Sequence, residues 1–354
     1  MKIIKRKMIK KKEQKVAIAM SGGLDSSVAA FCLKQKYNQV IGITLKLGPF
    51  TDKAVLQAQK IAQNLEIKHQ VIDLTKEFTQ KIISPFCQNY FQGLTPNPCI
   101  WCNEKIKFGL LFAKIKEQGF DYLATGHYAK IKKRKGQFCL FQAKDKSRDQ
   151  SYFLYRLNPD QLSQLIFPLG KLTKQQVRKI ARENNLDLAK KESREICFVK
   201  DDYREFIKNN CFLNSSPGLI KDKEGNILGK HQGLPFYTIG QRKGLIKGQK
   251  EPVYVIAINK ETNSLIIGQE KDLYKRELKA KNISWVNKKL RLPLKIKAKI
   301  RYRHKPTQAI VTKKDKEELK VEFKKAQRAI TPGQSVVFYQ KNQVLGGGII
   351  TEFN

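Results

Sequence analysis

This chain predicts an α/β fold: a doubly wound parallel sheet, followed by a small β-rich central domain and a C-terminal β-barrel. Three observations predict it. A nearly continuous apolar run, Val16 to Met20, turns through Gly22 and Gly23 into a helical pattern, as a strand buried on both faces does. Strand and helix patterns then alternate to about residue 125, which argues a parallel sheet with crossover helices. Beyond about residue 201 helical periodicity gives way to short strands and turns, among them the strictly alternating stretch Leu294 to Arg303. The corresponding domains are 15–200, 201–276 and 277–354, behind a basic arm at 1–14.

The first strand ends in Ser21-Gly22-Gly23-Leu24-Asp25-Ser26-Ser27, and a helix continues from Ser26 with Val28, Phe31 and Cys32 on its apolar side. A strand that turns through glycines into a helix presents bare N–H groups at the positive end of the helix dipole, which is an anion site. Ser21, Ser26 and Ser27 add hydroxyl donors, and the two glycines let a phosphate approach the backbone. The chain has no Gly-x4-Gly-Lys-Ser/Thr, so this is not the Walker loop. An ordinary Gly-Gly turn explains Ser-Gly-Gly alone; the full septet after a buried strand is more specific. Next come a strand at Gln39–Leu47, a helix at Lys53–Asn64, a strand at Ile67–Leu74, helices at Glu77–Tyr90 and Lys105–Gln118, and a strand at Tyr122–Thr125. Ligands of such sheets sit at the carboxyl ends of the strands. The Ser21–Ser27 loop, Leu45 and the turn Thr125-Gly126-His127 all fall at such ends and are expected to line one crevice.

Ahead of the helix at Lys105 lies Gly93-Leu-Thr-Pro-Asn-Pro-Cys-Ile-Trp-Cys-Asn103, whose two prolines fix an extended loop. Cys99 and Cys102 follow at C-x-x-C spacing. A thiol entering a helix N-terminus near Lys105 and Lys107 should fall below the ordinary pKa of about 8.5. Half of a structural zinc site would need a second ligand pair, and the chain has no other C-x-x-C. A zinc deaminase would need His-x-Glu upstream, but His69 is followed by Gln70 and Val71. Thiol chemistry and buried inert cysteines remain. Downstream, Thr173-x-x-Gln176 is a capping box opening a helix at Lys174–Asn184. Cys197 stands between apolar neighbours beside the charged loop Lys190 to Glu195.

The β-rich part reads as Gly218–Ile220, a hairpin turn at Lys221–Asn226, then Tyr254–Asn259 and Leu265–Gly268. In the alternating stretch, Leu294, Ile296, Ala298, Ile300 and Tyr302 share one face; Lys295, Lys297, Lys299, Arg301 and Arg303 share the other. Strands at Ile310–Thr312, Leu319–Phe323 and Val336–Tyr339, with Gly346-Gly-Gly as a tight bend, complete a barrel.

Lysine and arginine number 70 against 31 acidic residues in 354, a net charge of +39. A polyanionic partner is the first implication, nucleic acid foremost. Lysine drift in an AT-rich genome also gives such a balance. In company with an anion loop, the basic face from Lys295 to Arg303 is assigned to RNA backbone contact. No apolar run is long enough to span a membrane. Seven scattered cysteines are not a disulfide framework and fit a reducing cytosol. Residues 1–14 are neither a secretory signal nor a transit peptide.

The septet resembles the pyrophosphate loop of the ATP pyrophosphatases. The blocks SGGLDSS, TPNPCIWCNEKIKFG, ATGHY, RDQSYFLY, FPLGKLTKQQVRKIA, EICFV, HQGLPFYTIGQRKGL, RYRHKPTQAIV, TPGQSVVFY and GGGII, in that order, resemble the tRNA-specific 2-thiouridylases from Lys15 to Ile350. The resemblance implies an adenylating, adenine nucleotide-binding α/β domain before the β-rich domain and the barrel. It implies ATP and Mg²⁺ at Ala19, Met20, Ser21, Gly22, Gly23, Leu24, Asp25, Ser26, Leu45 and Gly126. Cys102 would act at the target uridine, and Cys197 would carry a persulfide that a second thiol resolves by disulfide exchange. Asn97, Pro98 and Cys99 would border the target base. His127, Arg148, Asp149, Gln150, Arg301, Tyr302 and Gln334 would contact tRNA.

A sulfur donor, either a cysteine desulfurase or a sulfur-relay protein, and a cytoplasmic location are further implications. The same resemblance leaves an alternative in which Cys99, Cys102 and Cys197 hold an iron–sulfur cluster. Two other classes are an ATP-dependent ligase or amidotransferase acting on a small metabolite, and a non-catalytic RNA-binding protein. The chain departs from the family in nearly lacking the insert between Leu47 and Asp52, in Cys99 where some members have Asp, and in Arg148 and Arg194.

Overall fold

Val16, Ala17 and Ile18 are wholly buried in the strand β1 (Lys12–Ala19). Burial on both faces is what the apolar run dictates, since β1 is the middle strand of a parallel sheet. Lys12, Glu13 and Gln14 begin that strand, so the basic arm ends earlier than the sequence suggested. The computed structural model describes residues 11–186, 196–200, 202–211, 215–246, 251–287, 290–315 and 317–353. The rest of the arm, Lys190 to Glu195 and with them Arg194 lie outside the described residues.

The chain divides into two units. The first comprises residues 1–78, 105–151 and 159–193; the second comprises 79–104, 152–158 and 194–354. In the first, β1 is followed by β2 (Tyr37–Lys46), β3 (Lys68–Asp73) and β4 (Tyr122–Thr125). The hairpin β5 (Ala129–Arg134) and β6 (Gln137–Gln142) and the short β7 (Leu165–Ile166) complete its strands. The parallel sheet has the order β3-β2-β1-β4-β7. The chain builds outward from β1 on one side and then returns to its other side, so β1 and β4 flank a topological switch point.

The helices Leu24–Lys34, Asp52–Asn64 and Lys174–Glu183 belong to this unit. The last opens with the predicted capping box: Thr173 N–H donates to Gln176 Oε1 at 2.9 Å, and Gln176 N–H donates to Thr173 Oγ1 at 3.3 Å. The sequence reading gave no element to the β5–β6 hairpin. Its two-residue turn is Lys135-Gly136, both at positive φ, and a Lys-Gly turn inside a run of cations carries a weaker signal than Asn-Gly.

Two helical runs differ from expectation. Thr75–Phe78 and Ser84–Phe91 are α-helical, joined by a π-helical turn at Thr79–Ile83. Pro85, in the first turn after it, has no N–H to continue the ladder. The helix expected from Lys105 starts at Pro98: Pro98–Trp101, the π-helical Cys102–Leu111 and Phe112–Glu117 run consecutively. Both cysteines of the C-x-x-C therefore lie inside the helix rather than ahead of it. Pro98 is the reason, being preorganised for a first helical turn.

The second unit holds a four-stranded sheet of order β10-β11-β8-β9 and a six-stranded barrel. The sheet strands are β8 (Gly218–Lys221), β9 (Ile227–His231), β10 (Tyr254–Asn259) and β11 (Ser264–Gly268). A helix, Tyr203–Asn210, precedes them, where only strands were expected. Its Asp202 cap and its aromatic packing outweigh a polar sequence. Phe206 lies 4.9 Å from Phe198, Phe198 lies 5.2 Å from Phe86, and Tyr203 stacks on Tyr90 at 4.7 Å between ring centres. Beside them Cys87 and Cys211, 124 residues apart, form a disulfide with Cα atoms 5.7 Å apart. One bridge is not a disulfide framework, and two cysteines so far apart in sequence give no spacing signal for it.

The barrel strands are β12 (Tyr274–Trp285), β13 (Leu294–Lys299), β14 (Thr307–Lys313), β15 (Leu319–Arg328), β16 (Ser335–Gln340) and β17 (Gln343–Phe353). Their order is β12-β15-β14-β13-β16-β17, and pairing of β12 with β17 closes the ring. Ile296, Ala298, Val311, Val321 and Phe338 fill it. Gly346-Gly347-Gly348 is not a bend but the middle of β17. A Cβ on Gly347 would lie 2.5 Å from the Val336 carbonyl oxygen and 2.9 Å from the Tyr155 ring, so bare backbone is what that contact requires. The ten-residue alternation is also shorter than it looked. β13 ends at Lys299, and Arg301 to His304 form a turn.

Candidate active site

The Ser21–Ser27 loop leaves β1 at the switch point. Ser26 and Ser27 both turn their hydroxyls onto the Gly23 carbonyl at 2.9 Å, and Ser21 N–H donates to Ser26 Oγ at 3.2 Å. These bonds fix the loop with its own residues. Gly22 has φ +69°, and a Cβ there would meet the Ala54 carbonyl oxygen at 2.7 Å, so only glycine fits. A Cβ on Gly23 would make only ordinary van der Waals contact, with Ser21 Oγ at 3.5 Å. From β4, Gly126 lies against the backbone of Asp25 and Ser26. Met20 is buried, its N–H on the Ile43 carbonyl at 2.8 Å, and Leu45 follows two residues on along β2. Ala19 sits between Ile43 and Thr125 in register, and Leu24 packs on the core beneath.

Asp25 is held by residues the sequence reading did not single out. Lys174 Nζ lies 2.7 and 2.8 Å from its two carboxylate oxygens, and Tyr128 OH donates to Oδ1 at 2.8 Å. Burial, then the Asp25 charge, raise the Tyr128 phenol well above its ordinary pKa, so it stays a donor. Lys174 also gives its backbone N–H to Asp145 at 2.9 Å. The capping box was the only sequence signal near Lys174.

Arg148, Asp149 and Gln150 support this region from behind. Gln150 grips Tyr128 twice: Gln150 Oε1 accepts Tyr128 N–H at 2.9 Å, and Gln150 N–H donates to the Tyr128 carbonyl at 2.8 Å. Asp149 is only 4% exposed, and its carboxylate accepts from Ala143 N–H and Ser151 Oγ, both at 2.9 Å. Arg148 is half-buried, with its charge felt at Tyr128. His127 is half-buried, Nδ1 2.7 Å from Thr125 Oγ1, with Phe108 and Phe167 rings 5.9 and 6.0 Å away. Burial, then Lys107, push its pKa well below the ordinary value, which favours the neutral imidazole.

In the second unit the C-x-x-C loop is held from the barrel. Gln334 Nε2 donates to the Thr95 carbonyl at 2.9 Å and to the Pro96 carbonyl at 3.4 Å, while Thr95 N–H donates to the Pro332 carbonyl at 2.9 Å. Asn97 precedes the helix in extended conformation, Pro98 is buried at its first position, and Cys99 is half-buried. Cys102, 8% exposed, comes one turn later, so both thiols lie on one side of the helix. Asn103, also buried, donates to the Phe153 carbonyl at 3.2 Å. Cys197 is exposed, next to the buried Phe198 that anchors its turn on Phe86. Among the described residues no three His, Cys, Asp or Glu side chains stand together as a metal-binding set.

Arg301 donates to the Arg328 carbonyl at 2.8 Å, and Tyr302 lies 4.5 Å from the Phe153 ring. Lys299 is 7% exposed, 5.3 Å over the Tyr302 ring. The five-cation face is thereby corrected: Lys299 and Arg301 turn onto aromatic rings and a carbonyl, because the strand ends at Lys299.

Comparison with known proteins decides the family. A family described as tRNA methyl transferase HUP domain matches residues 14–201. A tRNA methyl transferase PRC-barrel domain matches 204–269, and an aminomethyltransferase beta-barrel domain matches 275–350. The chain is 45% identical over 344 residues to the tRNA-specific 2-thiouridylase MnmA 2 of Clostridium botulinum (strain Langeland), covering 95% of this chain and 98% of that protein. It is 45% identical over 340 residues to the tRNA-specific 2-thiouridylase MnmA of Syntrophomonas wolfei, covering 95% and 99%.

The chain belongs to the tRNA-specific 2-thiouridylase family.

Among solved structures, the U34-tRNA thiolase NcsA from Methanococcus maripaludis is similar at 21% identity over 56% of this chain and 65% of that chain, with a TM-score of 0.37, too slight a likeness to bear on chemistry. As a 2-thiouridylase, the chain carries the family's nucleotide-binding fold, and the resemblance drawn from its motifs stands. Among the described residues no helix is long and apolar enough to cross a membrane.

Proposed function

We propose that this chain catalyses ATP-dependent 2-thiolation of the wobble uridine of glutamate, glutamine and lysine type tRNAs, in the cytoplasm. The observation that carries the reading is the Ser21–Ser27 loop, which leaves β1 at the switch point and opens the helix Leu24–Lys34. Backbone N–H groups and loop hydroxyls suit the phosphates of ATP. Asp25 with the hydroxyls of Ser21 and Ser26 is a hard oxygen set that would hold Mg²⁺ against those phosphates, once Lys174 yields a carboxylate oxygen. The metal would supply charge neutralisation.

The uracil C2 oxygen attacks the α-phosphate and pyrophosphate leaves. The terminal sulfur of a Cys197 persulfide then attacks C2, and AMP leaves with the oxygen. Cys102 thiolate attacks the Cys197 sulfur, freeing the thiouridine and leaving a Cys102–Cys197 disulfide, which a thiol reductant reopens. The exposed Cys197 suits reloading by a protein donor, a cysteine desulfurase or relay protein; the buried Cys102 suits protection from adventitious oxidation. Asn97 to Cys99 border the target base, while His127, Arg148, Asp149, Gln150, Arg301, Tyr302 and Gln334 contact tRNA. The division into an adenylating domain 15–200, a central domain 201–276 and a tRNA-contacting barrel 277–354 is part of the proposal.

The test is mass spectrometry of wobble uridine from cells lacking the protein, with the purified enzyme assayed beside it. Loss of 2-thiouridine and release of AMP are expected, with Cys102→Ser and Cys197→Ser inactive and Cys99→Ser retaining a substantial fraction. Release of ADP, or intact thiolation in the deleted strain, overturns the reading.

A further inference from the structure

The fold splits the alternating stretch at Leu294 to Arg303 into two ends of unlike chemistry. β13 and β16 are antiparallel, with Lys297 opposite Tyr339 and Lys299 opposite Val337. Lys299, Arg301 and Tyr302 therefore lie toward the Ser335 end of β16, next to Gln334 and the loop it holds. Their polar groups are committed there, to rings and to a carbonyl. Lys295 and Lys297 lie toward the other end, with Lys341.

At that far end a groove of about 550 Å³ opens across β13, β14, β15 and the β16–β17 turn. Lys295, Lys297, Lys324 and Lys341 stand around it, all exposed, and Ile310 is 41% exposed within it. One carboxylate, Glu322, shares the lining. Three other barrel lysines are paired: Lys279 with Glu352, Lys320 with Glu277 at 2.8 Å and Lys314 with Glu318 at 3.3 Å. Among the described residues none of the four groove lysines has a carboxylate partner.

We propose that this groove binds the sugar–phosphate backbone of the tRNA at a point remote from the target uridine. The proposal rests on the tRNA reading above. β16 has six residues, and at roughly 3.3 Å each its two ends are about 20 Å apart. A backbone seated among four lysines at one end fixes the register of an RNA whose target base is handled at the other, and carries no sequence information itself. An acidic protein surface is the competing occupant. The concave form and the single carboxylate suit both; four cations around one continuous track match the regular charge spacing of a phosphate backbone.

The experiment uses the full chain. Lys295→Gln, Lys297→Gln, Lys324→Gln and Lys341→Asn are combined, the last because Lys341 has φ +53°, which Asn tolerates. Binding of full-length tRNA is titrated against salt, with steady-state thiolation beside it. The log–log salt slope should fall by about 3, at roughly 0.7–0.9 per lost phosphate contact. The KM for tRNA should rise with kcat unchanged, as loss of uniform binding requires.

Glu322→Lys, a charge reversal at an exposed position, should tighten tRNA binding and steepen the slope by about one contact's worth, a gain no folding defect produces. An unchanged slope in both variants overturns the proposal. So does unchanged tRNA binding with slowed sulfur transfer from a protein donor, which would make the groove a protein-docking surface. Wild-type protein that binds no tRNA would instead overturn the tRNA reading itself.

Discussion

The phosphate loop and the C-x-x-C loop are built on opposite plans. The backbone turn of Ser21 to Ser27 is fixed by its own serines, bonded to the Gly23 carbonyl and to Ser21 N–H, and only the Asp25 carboxylate takes partners from outside, Lys174 and Tyr128. The C-x-x-C loop is held from afar, by Gln334 reaching Thr95 across 239 residues of sequence, while Phe198, beside Cys197, is held by Phe86. A locally built site tolerates distant change but not a single wrong residue inside it. A remotely held site loses precision in steps as its supports are removed.

The largest expected effect is therefore inside the first loop. Gly22→Ala must adopt φ +69° with its Cβ 2.7 Å from the Ala54 carbonyl oxygen. Left-handed backbone plus overpacking should cost about 2–4 kcal/mol and abolish ATP binding. Gly23→Ala is the control that sharpens the contrast. A Cβ there meets nothing within 3.4 Å, so the unfolding midpoint should barely move while ATP binding still falls, because the methyl occupies the phosphate approach. Calorimetric titration with ATP and a thermal melt on each variant check both outcomes. Equal stability of the two variants would break the argument.

This difference in plan also explains what was legible in the sequence. The loop, the helices at Asp52–Asn64 and Lys174–Glu183 and the strand β4 were readable because their signals are contiguous: glycine spacing, periodicity, a capping box. Lys174 and Tyr128 were not, since they reach Asp25 from 149 and 103 residues away. The Cys87–Cys211 bridge was hidden for the same reason. Alternation placed Leu294 to Ala298 of β13 on the correct faces but could not show that the strand stops at Lys299, where the Tyr152 and Tyr302 rings capture the ammonium. Three consecutive glycines read as a bend, although their cause is close approach to neighbouring strands, which no local rule can separate from a turn.

A middle-sized effect is expected at the remote support. Gln334→Ala removes the donor to the Thr95 and Pro96 carbonyls, a net loss of about 1–2 kcal/mol. Thiolation should slow about tenfold, since a loosened loop misplaces the thiols and base-contacting residues it carries. ATP affinity should not change. Gln334→Glu should be worse, because a carboxylate would face two carbonyl oxygens. Single-turnover thiolation beside ATP titration reads this; equal losses in both assays would mean that the two loops do not fail separately.

The smallest effect concerns His127, in the first unit beside the phosphate loop. Its imidazole is held well below the ordinary pKa by burial and by Lys107, so the folded state resists taking a proton that the unfolded chain accepts. The sign follows from that. Above about pH 6.5 both states are neutral at this residue and stability is unaffected. As pH falls below 6.5 the unfolded state binds a proton first, and stability drops by at most about 1.4 kcal/mol per pH unit until the folded pKa is reached. His127→Gln, which keeps a polar partner for Thr125, should cost stability evenly across pH 5 to 8 and remove one proton's share of the acid slope. Urea melts of the two proteins between pH 5 and pH 8 measure it. An acid slope unaltered in the variant would show that His127 takes up its proton in the folded state, and a cationic imidazole facing RNA phosphate would then return as the better account of this residue.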